Sequence, residues 1–149
     1  MNIFENLLTS LKRASEVSVS IMKPRDEGEI NHGLVILLFM IHNKKEIKTS
    51  EISEHFGVTS GAATGIADKL EGLGLIERKR STSDRRVVSL VLSEKGEKLV
   101  QDKKKEHVEL YQYILNDFSE KELLETIHML NKISDRIERY NKEEQHGNS

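Results

Sequence analysis

The chain has 149 residues, of which 32% are Asp, Glu, Lys or Arg and only 5% aromatic, with a formal net charge of −2. That length suits one domain spanning 1–149 with a real core, and the composition points to a soluble, mainly helical protein. Cysteine is absent, which excludes disulfides and thiolate metal sites. The longest apolar run, Leu34 to Ile41, is too short to cross a bilayer and no N-terminal signal pattern is visible, so a cytoplasmic location is expected.

Near the N-terminus, Ile3, Phe4, Leu7, Leu8, Leu11, Ala14, Val17 and Ile21 recur three and four apart, which predicts an amphipathic helix ended by Lys23-Pro24-Arg25-Asp26-Glu27-Gly28. A second helix is expected from Asn31 to His42, apolar nearly all round and therefore buried on more than one side.

Thr49 reads as the N-cap of a short helix through Phe56, with Glu51 and Glu54 favoring the positive end and Gly57 ending it. Thr59 caps a second helix, in which Ala63, Ile66, Ala67 and Leu70 recur at helical spacing, and Gly74 supplies a positive φ beyond its end. Two short helices joined by Gly57-Val58-Thr59 make a helix-turn-helix. The outward side of the second carries Ser60, Gly61, Ala62, Thr64, Gly65 and Lys69. Its two glycines cost about 1 kcal/mol each relative to Ala. Either this is a weak helix held by packing, or it is one shaped to approach a groove floor, with hydroxyls and Ala methyls as base readers.

Glu77-Arg78-Lys79-Arg80 and the run from Arg86 to Leu92 read as two strands around the loop Ser81-Thr82-Ser83-Asp84. Arg78, Lys79, Arg80, Arg85 and Arg86 face only Glu77 and Asp84 in this hairpin, so it carries a local charge of about +3, suited to phosphate and the minor groove. Residues 76 to 105 hold ten Lys or Arg against five acids, and residues 106 to 149 hold five against ten, so the overall −2 conceals a basic region. The residues expected to meet DNA are Ser50, Thr59 and Ser60 at the helix starts, and Gly61, Ala62, Thr64, Gly65 and Lys69 along the second helix. On the hairpin they are Arg78, Arg80, Ser83, Asp84, Arg85 and Arg86.

Ser93 caps a long helix running toward Leu115, and Ser119-Glu120-Lys121-Glu122 is a capping box for the last helix. That helix bears a stripe of Leu123, Leu124, Ile127, Leu130, Ile133, Ile137 and Tyr140 and is expected to fray after Glu143.

These segments together resemble the MarR family of bacterial transcriptional regulators. The resemblance rests on Thr49 to Thr59, Asp68 to Arg78, Asp84-Arg85-Arg86, and Leu92 to Gly96. It implies a mainly α fold with a small β-hairpin wing: a winged helix-turn-helix over 31–100 and dimerisation helices over 1–30 and 101–145. It further implies a homodimer that binds double-stranded DNA at an inverted repeat, repression as the commoner role among relatives, and release by a small-molecule effector. The family's Asp-any-Arg wing motif falls on Asp84 and Arg86, with the acid orienting the arginine. Relatives often carry a long side chain near Gly65; its absence here shifts readout toward Ser60, Thr64, Lys69, the wing and DNA shape. Without cysteine, oxidation sensing is removed.

Phe39, His42, Tyr111 and Tyr113 are candidates to line an effector space, but each taken singly reads first as an ordinary core or surface residue, so no effector site is assigned. Some relatives bind zinc, but His32, His42, His55, His107, His128 and His146 form no i, i+4 pair. No metal, cofactor or membrane partner is expected. An enzyme is disfavored because no phosphate loop, HExxH or thiol is present. A protein-interaction winged helix is the remaining alternative, and the retained Arg85 and Arg86 argue for DNA instead.

Overall fold

The first helix, α1 (Ile3–Met22), starts where the Asn2 side chain accepts from the Phe4 amide at 3.0 Å and the Glu5 carboxylate accepts from the Asn2 amide at 2.9 Å. The structure is a computed structural model and describes residues 2–22, 28–80 and 87–147, with side chains described through residue 144. It falls into two compact units, residues 1–107 and 108–149.

In the first unit, Asn31 caps α2 (His32–Lys44), its Oδ1 accepting from the Leu34 amide at 3.0 Å. The expected burial of α2 is seen in Leu34, Val35, Leu37, Leu38 and Ile41. Next comes a two-residue strand, β1 (Ile47–Lys48), for which the sequence offers no periodic signal. It displaces the expected cap. Lys48 is held extended by pairing with Ser89, so it and not Thr49 is the residue preceding α3 (Thr49–Phe56). Glu51 reaches back to accept from the Lys48 amide at 2.7 Å, satisfying one of the free donors at that helix start.

Gly57, at φ 62°, ends α3, and Thr59 Oγ1 accepts from the Ala62 amide at 3.2 Å to open α4 (Ser60–Gly72). Gly74, at φ 72°, then turns the chain into β2 (Ile76–Arg80). This strand pairs antiparallel with β3 (Val88–Leu92), from Ile76 opposite Leu92 to Arg80 opposite Val88, and the sheet order is β1-β3-β2. Leu37, Leu38 and Ile41 of α2, Ile52 of α3, Leu70 of α4 and Leu90 of β3 are fully buried together. Each such side chain contributes about 1.5–3 kcal/mol.

The helix α5 (Glu94–Ile114) is capped as expected: Ser93 Oγ accepts from the Gly96 amide at 3.0 Å. Its first turn locks onto the turn before β2. The Ser93 amide donates to the Leu75 carbonyl at 3.0 Å, Ser93 Oγ donates to the Gly74 carbonyl, and Lys95 Nζ donates to the Leu73 carbonyl at 2.8 Å. Gly96 permits this contact, because a Cβ there would lie 2.0 Å from the Leu75 carbonyl oxygen.

The second unit contains the end of α5 and α6 (Glu120–Gly147), whose capping box forms: Ser119 Oγ accepts from the Glu122 amide and Glu122 accepts from the Ser119 amide at 2.8 Å. The helix continues to Gly147, beyond the expected fraying point at Glu143. None of the described residues from Val108 onward is buried, and Leu124, Ile127, Leu130, Ile137 and Tyr140 are all exposed.

Candidate nucleic-acid interface

The two helices of the predicted helix-turn-helix pack against each other, and α4 divides cleanly into two faces. Ala63, Ala67 and Leu70 are completely buried, whereas Ser60, Gly61, Ala62, Thr64, Gly65, Asp68 and Lys69 are exposed. A period near 3.6 stacks Ser60/Gly61, Thr64/Gly65 and Asp68/Lys69 in successive rows along one stripe. Nothing lies within 4 Å of where a Cβ would sit on Gly61 or Gly65, so the open side of the helix has no protein neighbor there. Thr64 Oγ1 donates to the Ser60 carbonyl at 3.0 Å; its hydroxyl proton is engaged locally, leaving its methyl and lone pairs for other contacts. Ser50 and Thr59 are exposed at the starts of their helices.

The hairpin follows the expected strands, with β3 beginning two residues after Arg86. Ser83, Asp84, Arg85 and Arg86 lie outside the described residues. Lys79 and Arg80 are exposed near the end of β2. Arg78 differs from them. Alternation along the strand places it, with Arg80, on the side of the buried Ile76, but only its guanidinium, nearer the core, is engaged among the described residues, by Asp68 at 2.5 Å and by Glu71, both of α4. Asp68 is also the leading cause that raises the Arg78 pKa. Sequence reasoning grouped Arg78 with the other wing cations; alternation from the core residue Ile76 separates it from Lys79, and its place one step nearer that residue separates it from Arg80.

Away from α4, the first unit holds a cavity of about 210 Å³ lined by Met22, His32, Val35, Ile36, Phe39 and His107. Phe39 stacks on His107 with ring centroids 6.0 Å apart, and burial pushes the His107 pKa down. Both ring nitrogens of His32 are buried without a hydrogen-bond partner among the described residues. Of the four candidate effector residues, Phe39 alone lines this cavity. His42 instead approaches Glu97, its Nδ1 2.9 Å from one carboxylate oxygen, while Tyr113 is exposed in the second unit, as Tyr111 is in part. Glu97 is held below the usual carboxylate range by Gln101 and then by His42. Among the described residues, no three His, Cys, Asp or Glu side chains converge as metal ligands, and no helix is long and apolar enough to cross a membrane.

Residues 30–88, which run from just before α2 to the first residue of β3, match the MarR family. The HTH-type transcriptional regulator MhqR of Bacillus subtilis is 30% identical over 106 residues, covering 68% of this chain and 73% of that protein. The chain belongs to the MarR family. A second MarR-like relative, the HTH-type transcriptional repressor MdtR of the same organism, is 25% identical over 123 residues, covering 83% of this chain and 79% of the other. Among solved structures, the transcriptional regulator BldR of Sulfolobus solfataricus superposes with a TM-score of 0.64 at 25% identity, over 91% of this chain and 99% of that one. The resemblance read from Thr49 to Gly96 and the winged-helix fold class therefore stand. As a MarR-family protein, the chain is a DNA-binding transcriptional regulator and not an enzyme.

Proposed function

We propose that this MarR-family regulator acts as a homodimeric repressor, with α4 of each copy in a major groove and the wing in the adjoining minor groove of an inverted-repeat operator. The observation that carries the reading is the open stripe of α4 beside a basic hairpin: a helix built of small residues approaches base edges closely, and cations flank it. Ser60, Gly61, Ala62, Thr64, Gly65 and Lys69 are the proposed major-groove residues, flanked by Ser50 and Thr59 at the backbone. Arg80, Ser83, Asp84, Arg85 and Arg86 are the proposed wing contacts.

Dimerisation is supported by the uncovered apolar residues of α1 and α6. Phe4 and Leu8 of α1 are 69% and 68% exposed, and α6 shows the apolar stripe already described. A two-fold partner that covers such faces also sets two α4 helices about one DNA turn, roughly 34 Å, apart. The proposed dimerisation segments are 1–30 and 101–145, around a winged unit at 31–100. Repression is favored by the family resemblance and by the named role of MdtR. Release by a small molecule is supported by the cavity beside Phe39: a ligand preferring a wing spacing that mismatches the operator needs only a few kcal/mol of preference to empty it. The expected setting is the cytoplasm.

The direct test is Arg86→Ala in a DNA titration. A specific wing contact predicts a loss of about 1–3 kcal/mol in binding free energy. Unchanged affinity would remove Arg86 from the interface and favor a winged helix that docks protein instead.

A further inference from the structure

We infer that Arg78 is a positioning residue that masks the acids of α4 from DNA, rather than a phosphate contact. The inference rests on the DNA-binding reading above, and three observations converge on it. First, the charged side chains of α4 are one cation, Lys69, against two anions, Asp68 and Glu71, so the helix proposed to enter the groove is acidic on its own. Asp68 lies in the same exposed stripe as Ser60 and Thr64, where it would meet a phosphate-rich surface.

Second, both carboxylates stand in the last part of α4, where the helix macrodipole is already negative and additional anions are unfavorable. Third, the only described partners of these two acids come from one guanidinium. Arg78 contacts Asp68 through one terminal nitrogen and Glu71 through the other, a planar bridge that a single ammonium does not reproduce. The Arg78 side chain is 29% exposed, against 60% for Asp68 and 42% for Glu71. The arginine is thus drawn in against α4, and its strand position beside Ile76 holds it there. One residue thereby cancels the excess acidity of the recognition helix and ties that helix to the base of the wing.

The test compares wild type, Arg78→Ala, and the triple variant Arg78→Ala/Asp68→Asn/Glu71→Gln on one duplex selected by the wild-type protein, over a series of salt concentrations. Urea unfolding without DNA is measured alongside. Removing the arginine alone exposes two carboxylates and lowers affinity by about ten-fold, in the range of like-charge juxtaposition at interfaces. The triple variant, with the acids neutralized, returns to wild-type affinity or above, and its salt dependence matches that of wild type.

A triple variant as weak as Arg78→Ala, with the salt slope reduced by about 0.9, would show instead that Arg78 itself neutralizes a phosphate, overturning the mask. A triple variant that stays weak with an unchanged slope and the urea midpoint of Arg78→Ala would make the bridge purely structural. Wild-type affinity for Arg78→Ala would also refute it. If wild type selects no duplex, the DNA-binding reading fails first and the mask with it, a result distinct from any difference among the variants.

Discussion

Single atoms decide how the wing base is attached to α5. Gly96 lies against the turn at Leu75 so closely that a methyl group would sit 2.0 Å from a backbone oxygen, which is not free to swing away as a side-chain tip would be. Gly96→Ala is expected to lower stability by about 1–3 kcal/mol or more, the usual cost of overpacking, read as a reduced urea midpoint. A midpoint equal to wild type would mean that the turn yields freely. His107 supplies a second residue-scale expectation. Burial disfavors its charged form, so its folded pKa lies below the ordinary 6.5 and the unfolded chain takes up the proton first. Its contribution is therefore complete above pH 6.5 and is lost as pH falls from there through the folded value. The Glu51 and Glu97 carboxylates, both lowered, add their loss only below 4.5. Urea midpoints measured from pH 8 down to 5 should fall for wild type and fall less for His107→Gln; parallel curves would contradict the assignment.

At the scale of elements, α4 sets stability against close approach. Ala at Gly61 and Gly65 meets no neighbor in the protein and removes the conformational cost of glycine, so the double variant should gain up to about 2 kcal/mol in stability, near 1 at each site. The same two methyls stand on the proposed groove face, so DNA affinity should drop while the urea midpoint rises. Tighter DNA binding would mean that this face does not approach the bases. Much of the fold was legible in the sequence because its signals are local: Thr59, Ser93 and Ser119 form their caps, Gly57 and Gly74 adopt positive φ, and the period of Ala63, Ala67 and Leu70 marks the buried face of α4. What the sequence concealed depends on partners distant in the chain. β1 is two residues long and exists by pairing Ile47 with Leu90, a contact no local period records; that pairing moved the α3 start from a Thr49 cap to Lys48. Charge counting likewise found a basic hairpin without separating Arg78, bound to α4, from Lys79 and Arg80 beside it.

For the whole molecule, the well-buried winged unit contrasts with a second unit that has no buried described residue. An apolar stripe along a helix of 28 residues, left in water, is poorly supported by helix propensity alone, and the proposed second copy would cover it with two-fold symmetry. The most direct measurement is selection of duplexes from a random DNA pool by the purified protein near physiological salt, where non-specific phosphate attraction is screened. A homodimer reading DNA through paired α4 helices predicts enrichment of a single inverted repeat, its half-sites centered about 10 base pairs apart. Enrichment of an asymmetric site bound by one copy, or no enrichment of any sequence, would contradict it.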